Sequence, residues 1–196
     1  MLGKKIGNSQ TNLFHAFDYL KRGWKVLPIH FPQNGRCSCG KAECHSPAKH
    51  PLTRNGVKDA TDETSVVFNV WNERSLANIG IATGYSSGIA VVDIDPRHGG
   101  DKSWQEFELK NQIAPSLTVV TGGGGRHIYF LTDGTPVPNK IGVLPGIDIR
   151  GDNGYVLAPP SQHMSGNLYT WADKKVEIAA IPKSIKDLIS KIPQRP

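Results

Sequence analysis

The sequence has few cysteines and no long hydrophobic run, and both features argue against membrane-spanning and disulfide-rich extracellular proteins. No apolar stretch approaches the roughly 20 residues of a membrane-spanning helix, and the N-terminus lacks the apolar core of a secretory signal. The three cysteines are an odd number and all lie within residues 37–44, so a framework of extracellular disulfides is not expected. We therefore expect a cytoplasmic protein that has no membrane partner.

Repeats, coiled-coil heptads and low-complexity tracts are also missing, which excludes solenoid and fibrous classes. A hydrophobic fraction of 38% is enough for a buried core. Lys and Arg number 23 against 17 for Asp and Glu, and the resulting net charge of +6 permits a polyanionic partner without requiring one.

Helical patterns occur early and late in the chain, and the middle is rich in short strands. Apolar periodicity predicts helices within residues 9–23, 61–71, 101–112 and 182–192. Glycines and prolines punctuate the strand-like segments between them. This order predicts an α+β or mixed α/β fold. We expect one domain over residues 1–182 with loop 36–51 inserted, and a closing helix with the start of a linker in 183–196.

The strand-like segment GIAVVDIDP, residues 88–96, ends in two carboxylates. Side chains alternate along a strand, so Asp93 and Asp95 point to the same side, and the apolar residues before them predict a central strand. The two carboxylates would repel each other unless a cation or protons lie between them. Hard divalent ions such as Mg²⁺ and Mn²⁺ prefer oxygen ligands of this kind. The pattern indicates a metal site; the alternative is a solvated strand end where Asp95 and Pro96 open a turn.

A later segment, GIDIRGD, repeats this alternation. Asp148 and Arg150 share one face of the expected strand, while Ile147 and Ile149 share the other. A third carboxylate would complete a site for two metal ions, and Arg150 could bind a phosphate with two hydrogen bonds. The alternative is an internal Asp–Arg pair at the edge of a sheet.

Four consecutive glycines lie in TVVTGGGGRHIYF, residues 118–130, and they fit no known phosphate loop. His127 stands where both the P-loop and the dinucleotide motif need glycine, and the following residues form a strand rather than a helix. The segment therefore predicts a strand–loop–strand unit. Glycine N–H groups could face an anion there, and His127 could donate to a phosphate oxygen. The alternative is a flexible hairpin with a structural histidine.

The cysteine-containing loop has the spacing C-x-C-x4-C-x5-H, given by Cys37, Cys39, Cys44 and His50. Three thiolates and one imidazole can form a closed tetrahedral zinc site, which would replace the core that this polar loop lacks. His45 is an alternative fourth ligand, and three unliganded thiols are the alternative to a metal. Basic residues flank the loop and could bind a nucleic-acid backbone or be solvated: Lys41, Lys49, Arg54 and Lys58.

Taken in order, these motifs resemble the N-terminal domain of bifunctional DNA primase–polymerases, of the archaeo-eukaryotic primase superfamily. That family has an acidic pair on a strand, here Asp93 and Asp95, then a histidine on a later strand, here His127. A further Asp after an apolar residue follows, here Asp148. The closing stretch GYVLAPPSQHMSGNLYTW also resembles the family, and the resemblance covers about residues 11–172.

The resemblance implies nucleotidyl transfer. Asp93, Asp95 and Asp148 would bind two Mg²⁺ or Mn²⁺ ions, and together with His127 they would be the catalytic residues. The candidates for binding the nucleotide are Gly123, Gly124, Gly125, Arg126, His127, Arg150, Ser161 and His163. For Ser161 and His163 a Pro-rich turn with exposed polar groups is the alternative. The implied fold is a primase-like α/β core with an RRM-like antiparallel half, a zinc-stabilised loop, and the site between its halves.

The partners implied by the resemblance are a single-stranded DNA template, a primer–template and dNTPs or rNTPs. A helicase domain or protein is a further expected partner, and the chain is expected to be a monomer. Two other functions are open at this level. One is a metal-dependent nuclease or replication initiator, although the H-x-H pair of many initiators is missing. The other is a non-catalytic, zinc-bearing nucleic-acid-binding module.

Overall fold

The computed structural model describes residues 9–191. Its helices are α1 (Ser9–Lys21), α2 (Thr64–Glu73), α3 (Gly100–Asn111) and α4 (Lys183–Ser190). Its strands are β1 (Val26–Ile29), β2 (Pro32–Gln33), β3 (Arg36–Cys37), β4 (Asn78–Ala82), β5 (Ile89–Ile94), β6 (Thr118–Val120), β7 (Arg126–Leu131), β8 (Lys140–Leu144), β9 (Ile147–Arg150), β10 (Tyr155–Ala158), β11 (Thr170–Trp171) and β12 (Ala179–Ala180). The predicted mixed α/β class is confirmed.

Two sheets form the body of the molecule, and their ladders are antiparallel except where β12 joins β7. The smaller sheet has the order β1-β4-β10, and the larger has the order β11-β6-β7-β5-β9-β8 with β12 added beside β7. Strand β5 is central, as predicted, because β7 and β9 flank it. Strands β4 and β5 are consecutive in the chain but lie in different sheets, so the turn between them links the sheets.

Two hydrophobic clusters lie on opposite faces of the larger sheet. Alternation along β5 sends Ile89 and Val91 to a cluster that contains α1, α2 and the smaller sheet. It sends Ala90 and Val92 to a second cluster with residues of α3 and α4. Asp93 is in phase with Val91, so its side chain lies on the face that meets the smaller sheet.

The closing helix that the sequence predicts is α4, and it belongs to the packed body. Ile185 and Ile189 are buried in the second cluster. Residues 192–196, where a linker was expected to begin, lie outside the described residues, as do 1–8. Within the described chain, no helix combines the length and apolar character needed to cross a bilayer.

Candidate active site and metal centre

Strand register brings three of the predicted site residues side by side. Asp93 on β5 lies directly opposite His127 on β7 and directly opposite Asp148 on β9. His127 is buried, and its Nε2 lies 3.5 Å from Asp93 Oδ1. Its Nδ1 has no hydrogen-bond partner in the described part of the chain, so no hydrogen bond at that nitrogen fixes the orientation of the ring.

Arg150 occupies the space between the two paired carboxylates. Its Nη2 donates to Asp93 Oδ2 at 3.0 Å and to Asp148 Oδ2 at 2.9 Å, and its Nε donates to Asp93 Oδ2 at 3.2 Å. Burial alone would raise the pKa of Asp93, but the hydrogen bond from His127 and the charges of His127 and Arg150 hold it well below its ordinary value. The Asp93 carboxylate is therefore ionised. The guanidinium of Arg150 lies between Asp93 and Asp148 and offsets the repulsion between them.

Asp95 lies just after β5 and is engaged differently. It caps the short 3₁₀ turn that follows, accepting from Arg97 N, and its carboxylate pairs with Arg97 Nη2 at 2.8 Å and His98 Nδ1 at 3.0 Å. The hydrogen bond from the Arg97 side chain is the main reason that the pKa of Asp95 falls to about 2. The alternative interpretation, in which Asp95 opens a turn, thus describes its local structure.

Two glycines hold the backbone of Asp95 in place. Its N–H donates to Gly146 O at 2.8 Å, and its C=O accepts from Gly100 N at 3.0 Å. A Cβ on Gly100 would lie 2.5 Å from Gly146 O, and a Cβ on Gly146 would lie 2.5 Å from Gly100 N. Only glycine permits this close approach of the two chain segments. The hydrogen bonds from both segments therefore fix the backbone of Asp95, from which its side chain extends.

One cavity of about 670 Å³ unites these groups. Asp93, Asp95, Asp148, His127 and Arg150 all line it, and residues of β10 in the smaller sheet line it as well. Among the described residues, the three carboxylates do not form a group of ligand atoms within 4.8 Å of one another. The cavity thus has an oxygen-rich end in which Arg150 and Arg97 supply the compensating charge and His98 lies beside Asp95.

The four glycines form a tight turn between β6 and β7, as the sequence predicts. A Cβ on Gly125 would lie 2.4 Å from Ile94 O, so this glycine lets the turn pack against the end of β5. The amides of Gly124 and Gly125 are used within the turn, donating to Thr121 O and to the Thr121 hydroxyl, both at 2.9 Å. Gly123 lines the cavity, and its amide is not needed to close the turn.

The other predicted nucleotide-binding residues lie apart from the carboxylates. Arg126 is on the opposite face of β7 from His127, and its Nη2 pairs with Asp101 of α3 at 3.0 Å. Ser161 is fully buried, and its hydroxyl accepts from Ile79 N at 2.9 Å. The His163 Nε2 lies 3.5 Å from the place that a Cβ on Gly123 would take, so His163 flanks the glycine turn.

The predicted zinc ligands converge in loop 36–51. Ligand atoms of Cys37, Cys39, Cys44 and His50 lie within 4.8 Å of one another, and His45 is not part of the group. Both Cys37 Sγ and Cys44 Sγ lie 3.5 Å from His50 Nε2. Zinc bonds of about 2.3 Å to sulfur and about 2.0–2.1 Å to nitrogen place tetrahedral S and N ligands about 3.5 Å apart. The donor set and its spacing therefore fit a structural zinc ion.

The electrostatics of one thiol also favour metal binding. The pKa of Cys39 falls to about 6, first because its sulfur accepts a backbone hydrogen bond from Lys41 and then because of His50 and the other two thiols. Thiolate is the form that binds a metal.

Several residues of the site were not predicted from the sequence. Arg97 and His98 follow the acidic pair, and their positions in a short turn could have suggested their pairs with Asp95. The ring of Tyr169 lies 5.9 Å from that of His127 and lines the same cavity. Its approach depends on the path of residues 159–169, which no local pattern fixes.

No curated protein matches the chain. The family model for the N-terminal region of bifunctional DNA primase/polymerases matches residues 16–184, which include the acidic strand, the glycine turn, the cysteine loop and Asp148. The chain therefore belongs to the bifunctional DNA primase/polymerase N-terminal family.

Proposed function

We propose that this chain is the catalytic domain of a DNA-dependent nucleotidyltransferase that synthesises and extends primers on a DNA template. Family membership implies DNA primase/polymerase activity in general. The observation that carries the finer proposal is the alignment of His127, Asp93 and Asp148 across three neighbouring strands in one cavity. A cavity of about 670 Å³ is large enough for a nucleotide.

Asp93, Asp95 and Asp148 would hold two Mg²⁺ or Mn²⁺ ions, since their donors are the oxygens that hard cations prefer. Such ions, when bound, activate a 3′-hydroxyl and neutralise the leaving pyrophosphate. The fit rests on charge: Asp93 and Asp148 already share a cation, the guanidinium of Arg150. Arg150 must leave these oxygens before they can bind a metal ion, which frees its two-pronged donor set for a phosphate.

His127 and Gly123 are the residues best placed to bind the phosphates of the incoming nucleotide. The His127 Nε2 faces Asp93 at 3.5 Å and the residue lines the cavity, so Nε2 is the nitrogen that would donate to a phosphate oxygen. Gly123 offers an N–H on the cavity wall without an obstructing side chain. Arg126 and Ser161 have other partners and are left out of this proposal.

The Cys37, Cys39, Cys44 and His50 cluster would hold a zinc ion that stabilises loop 36–51, because all four tetrahedral positions are filled by the protein. The domain boundary at residue 182, a helicase partner and a monomeric state stay predictions.

Primer extension tests the proposed activity. The protein is incubated with Mn²⁺ or Mg²⁺, dNTPs and a 5′-labelled primer on a longer template. Lengthening of the primer supports the proposal, shortening would indicate a nuclease, and a mobility shift without chemistry would indicate a binding module. The double substitution Asp93→Ala with Asp95→Ala should abolish extension. Asp173→Asn, at an exposed carboxylate, is the matched control, and full extension by the double variant would contradict the mechanism.

A further inference from the structure

The cysteine loop contributes a wall to the cavity. Ser46 and Lys49 line the cavity together with the carboxylates, although they belong to loop 36–51. The backbone around Lys49 is held on both sides. Its C=O accepts from the Tyr155 hydroxyl at 2.9 Å, and Ala48 N donates to Cys37 Sγ at 3.3 Å. The next residue, His50, is a member of the metal-binding cluster, and its C=O accepts from His30 N at 3.0 Å.

The charge of Lys49 is not compensated by the protein. The other cationic side chains on the cavity wall are engaged: Arg97 and His98 pair with Asp95, and Arg150 pairs with Asp93 and Asp148. No hydrogen bond or ion pair in the described range 9–191 engages the ammonium of Lys49. The side chain is half-buried, so part of its hydration is already lost. An anionic ligand in the cavity would supply the missing partner.

Lys49 acts on the side of the cavity where the glycine turn lies. The positive charges of Lys49 and Arg97 both reach His163, where they add to burial in lowering its pKa. His163 in turn flanks Gly123, the glycine that lines the cavity. Lys49 and Arg97 thus line the cavity together with Gly123, which has no side chain in the way, and His163 flanks that glycine. A phosphate group is the ligand chemistry that suits such a place.

We propose that Lys49 binds the triphosphate of the incoming nucleotide, so that loop 36–51, which the metal-binding cluster would hold together, is one wall of the nucleotide site. This inference rests on the proposed function, because it takes a nucleoside triphosphate as the substrate. The cluster of Cys37, Cys39, Cys44 and His50 would then have a second role. A metal ion that holds His50 in place would also hold its neighbour Lys49 in place.

Equilibrium binding to the full chain tests the proposal, with a dNTP and, separately, a single-stranded oligonucleotide as the probes, in the presence of Mn²⁺. Lys49→Met should weaken dNTP binding about tenfold, since a charge-assisted hydrogen bond is lost, and Lys49→Arg should recover most of it. Lys41→Met is the matched control: it removes an exposed lysine of the same loop and should change binding less than about twofold. Oligonucleotide affinity and zinc content should stay at wild-type levels in every variant.

Each outcome decides a different claim. Equal dNTP affinity for wild type and Lys49→Met, with normal primer extension, would overturn this inference alone. Loss of oligonucleotide binding with unchanged dNTP binding would overturn it too, by assigning Lys49 to a strand backbone. Failure of the wild-type protein both to bind dNTP and to extend a primer would overturn the proposed function together with the inference.

Discussion

The molecule contains two clusters of potential metal ligands, and they are built in opposite ways. The four atoms of the cysteine cluster already lie within 4.8 Å of one another. The carboxylates of the cavity are instead occupied by the protein's own cations, with Arg150 between Asp93 and Asp148. One cluster has its ligands assembled, and the other, in the proposed mechanism, would exchange a guanidinium for a metal ion.

The contrast follows from what each cluster has to do. A structural site gains from four protein ligands and no open position, and one short loop can supply them. A catalytic site must leave room for substrate, so its ligands cannot close on the ion. The carboxylates come from β5, its C-terminal end and β9, and under the proposed function the protein's cations would compensate their charge until metal and nucleotide bind. The following substitutions test this division between an assembled and an exchangeable site, from the largest effect to the smallest.

Asp148→Asn should nearly abolish primer extension while leaving the cysteine cluster intact. The amide keeps the shape but not the charge that would hold a divalent ion, and we expect a loss on the order of 10³-fold, equivalent to about 4 kcal/mol of activation free energy. Single-turnover extension rates measure the effect. The zinc content of Asp148→Asn, measured by elemental analysis, should equal that of wild type. The control is Asp152→Ala, because the Asp152 carboxylate accepts hydrogen bonds from Tyr85 N and Val137 N. It should reduce stability but not the rate per folded molecule. A rate within tenfold of wild type for Asp148→Asn would contradict its assignment as a metal ligand.

His50→Ala should act first on stability: folded molecules should keep the carboxylate chemistry, and dNTP binding should weaken only through the loosened position of Lys49. Losing one of four ligands should empty the zinc site and cost about 3 kcal/mol of folding free energy, which lowers Tm by roughly 6–12 °C in a domain of this size. The matched control is His45→Ala, because His45 is an exposed neighbour of Cys44 outside the cluster. It should keep its zinc and change Tm by less than about 2 °C. Equal Tm losses for the two variants would mean that the cluster does not hold a metal.

Local patterns were sufficient to predict each motif separately. The spacing of Cys37, Cys39 and Cys44 is confined to one loop, so it could be interpreted without knowing the fold. Strand alternation correctly placed Asp148 and Arg150 on one face. The alternative interpretation correctly predicted an ion pair between Asp148 and Arg150, but it placed the pair at the edge of a sheet, whereas β9 lies between β5 and β8.

The meeting of these motifs could not be predicted from local patterns. Register between β5, β7 and β9 decides that Asp93 faces both His127 and Asp148, and only the family resemblance indicated that encounter. The glycine turn shows the same limit. The amides of Gly123, Gly124 and Gly125 were expected to face an anion, but the carbonyl and hydroxyl of Thr121 accept from Gly124 and Gly125. Threonine before the glycines gave no clear indication of this, because the contact depends on the closed shape of the turn.

Arg150→Met should test the exchange between guanidinium and metal. Removing the cation between Asp93 and Asp148 leaves only His127 beside Asp93 and the Gly142 amide on Asp148, so Mn²⁺ should bind roughly tenfold more tightly in the absence of nucleotide. The apparent KM for dNTP should rise by a similar factor, because a two-pronged phosphate contact is lost. Electron paramagnetic resonance of free Mn²⁺ measures the first effect and steady-state extension the second. Arg150→Lys, which keeps the charge, should give values between those of wild type and Arg150→Met in both measurements. Weaker Mn²⁺ binding by Arg150→Met would show that Arg150 supports the metal site instead of competing for it.

Acid titration should give the smallest effect, a change in the free energy of unfolding. It tests the charge pairs of Asp95 at the carboxylate end of the cavity. The folded-state pKa of Asp95 is about 2, below the ordinary value of about 3.9, so the folded state binds fewer protons there than the unfolded state. The stabilisation from its pairs with Arg97 and His98 is therefore fully present above about pH 4 and is lost as pH falls toward 2. Those partners are solvent-exposed, so the free energy of unfolding involved should be below about 1 kcal/mol. Urea unfolding of wild type and Asp95→Asn, without added Mg²⁺ or Mn²⁺, should show a stability difference that shrinks across this window. Protonation of the zinc thiolates affects both proteins equally and cancels in the comparison. A difference that stays constant from pH 6 to pH 2.5 would mean that the Asp95 pairs do not stabilise the fold, and the charge compensation at this end of the cavity would then rest on Arg150 alone.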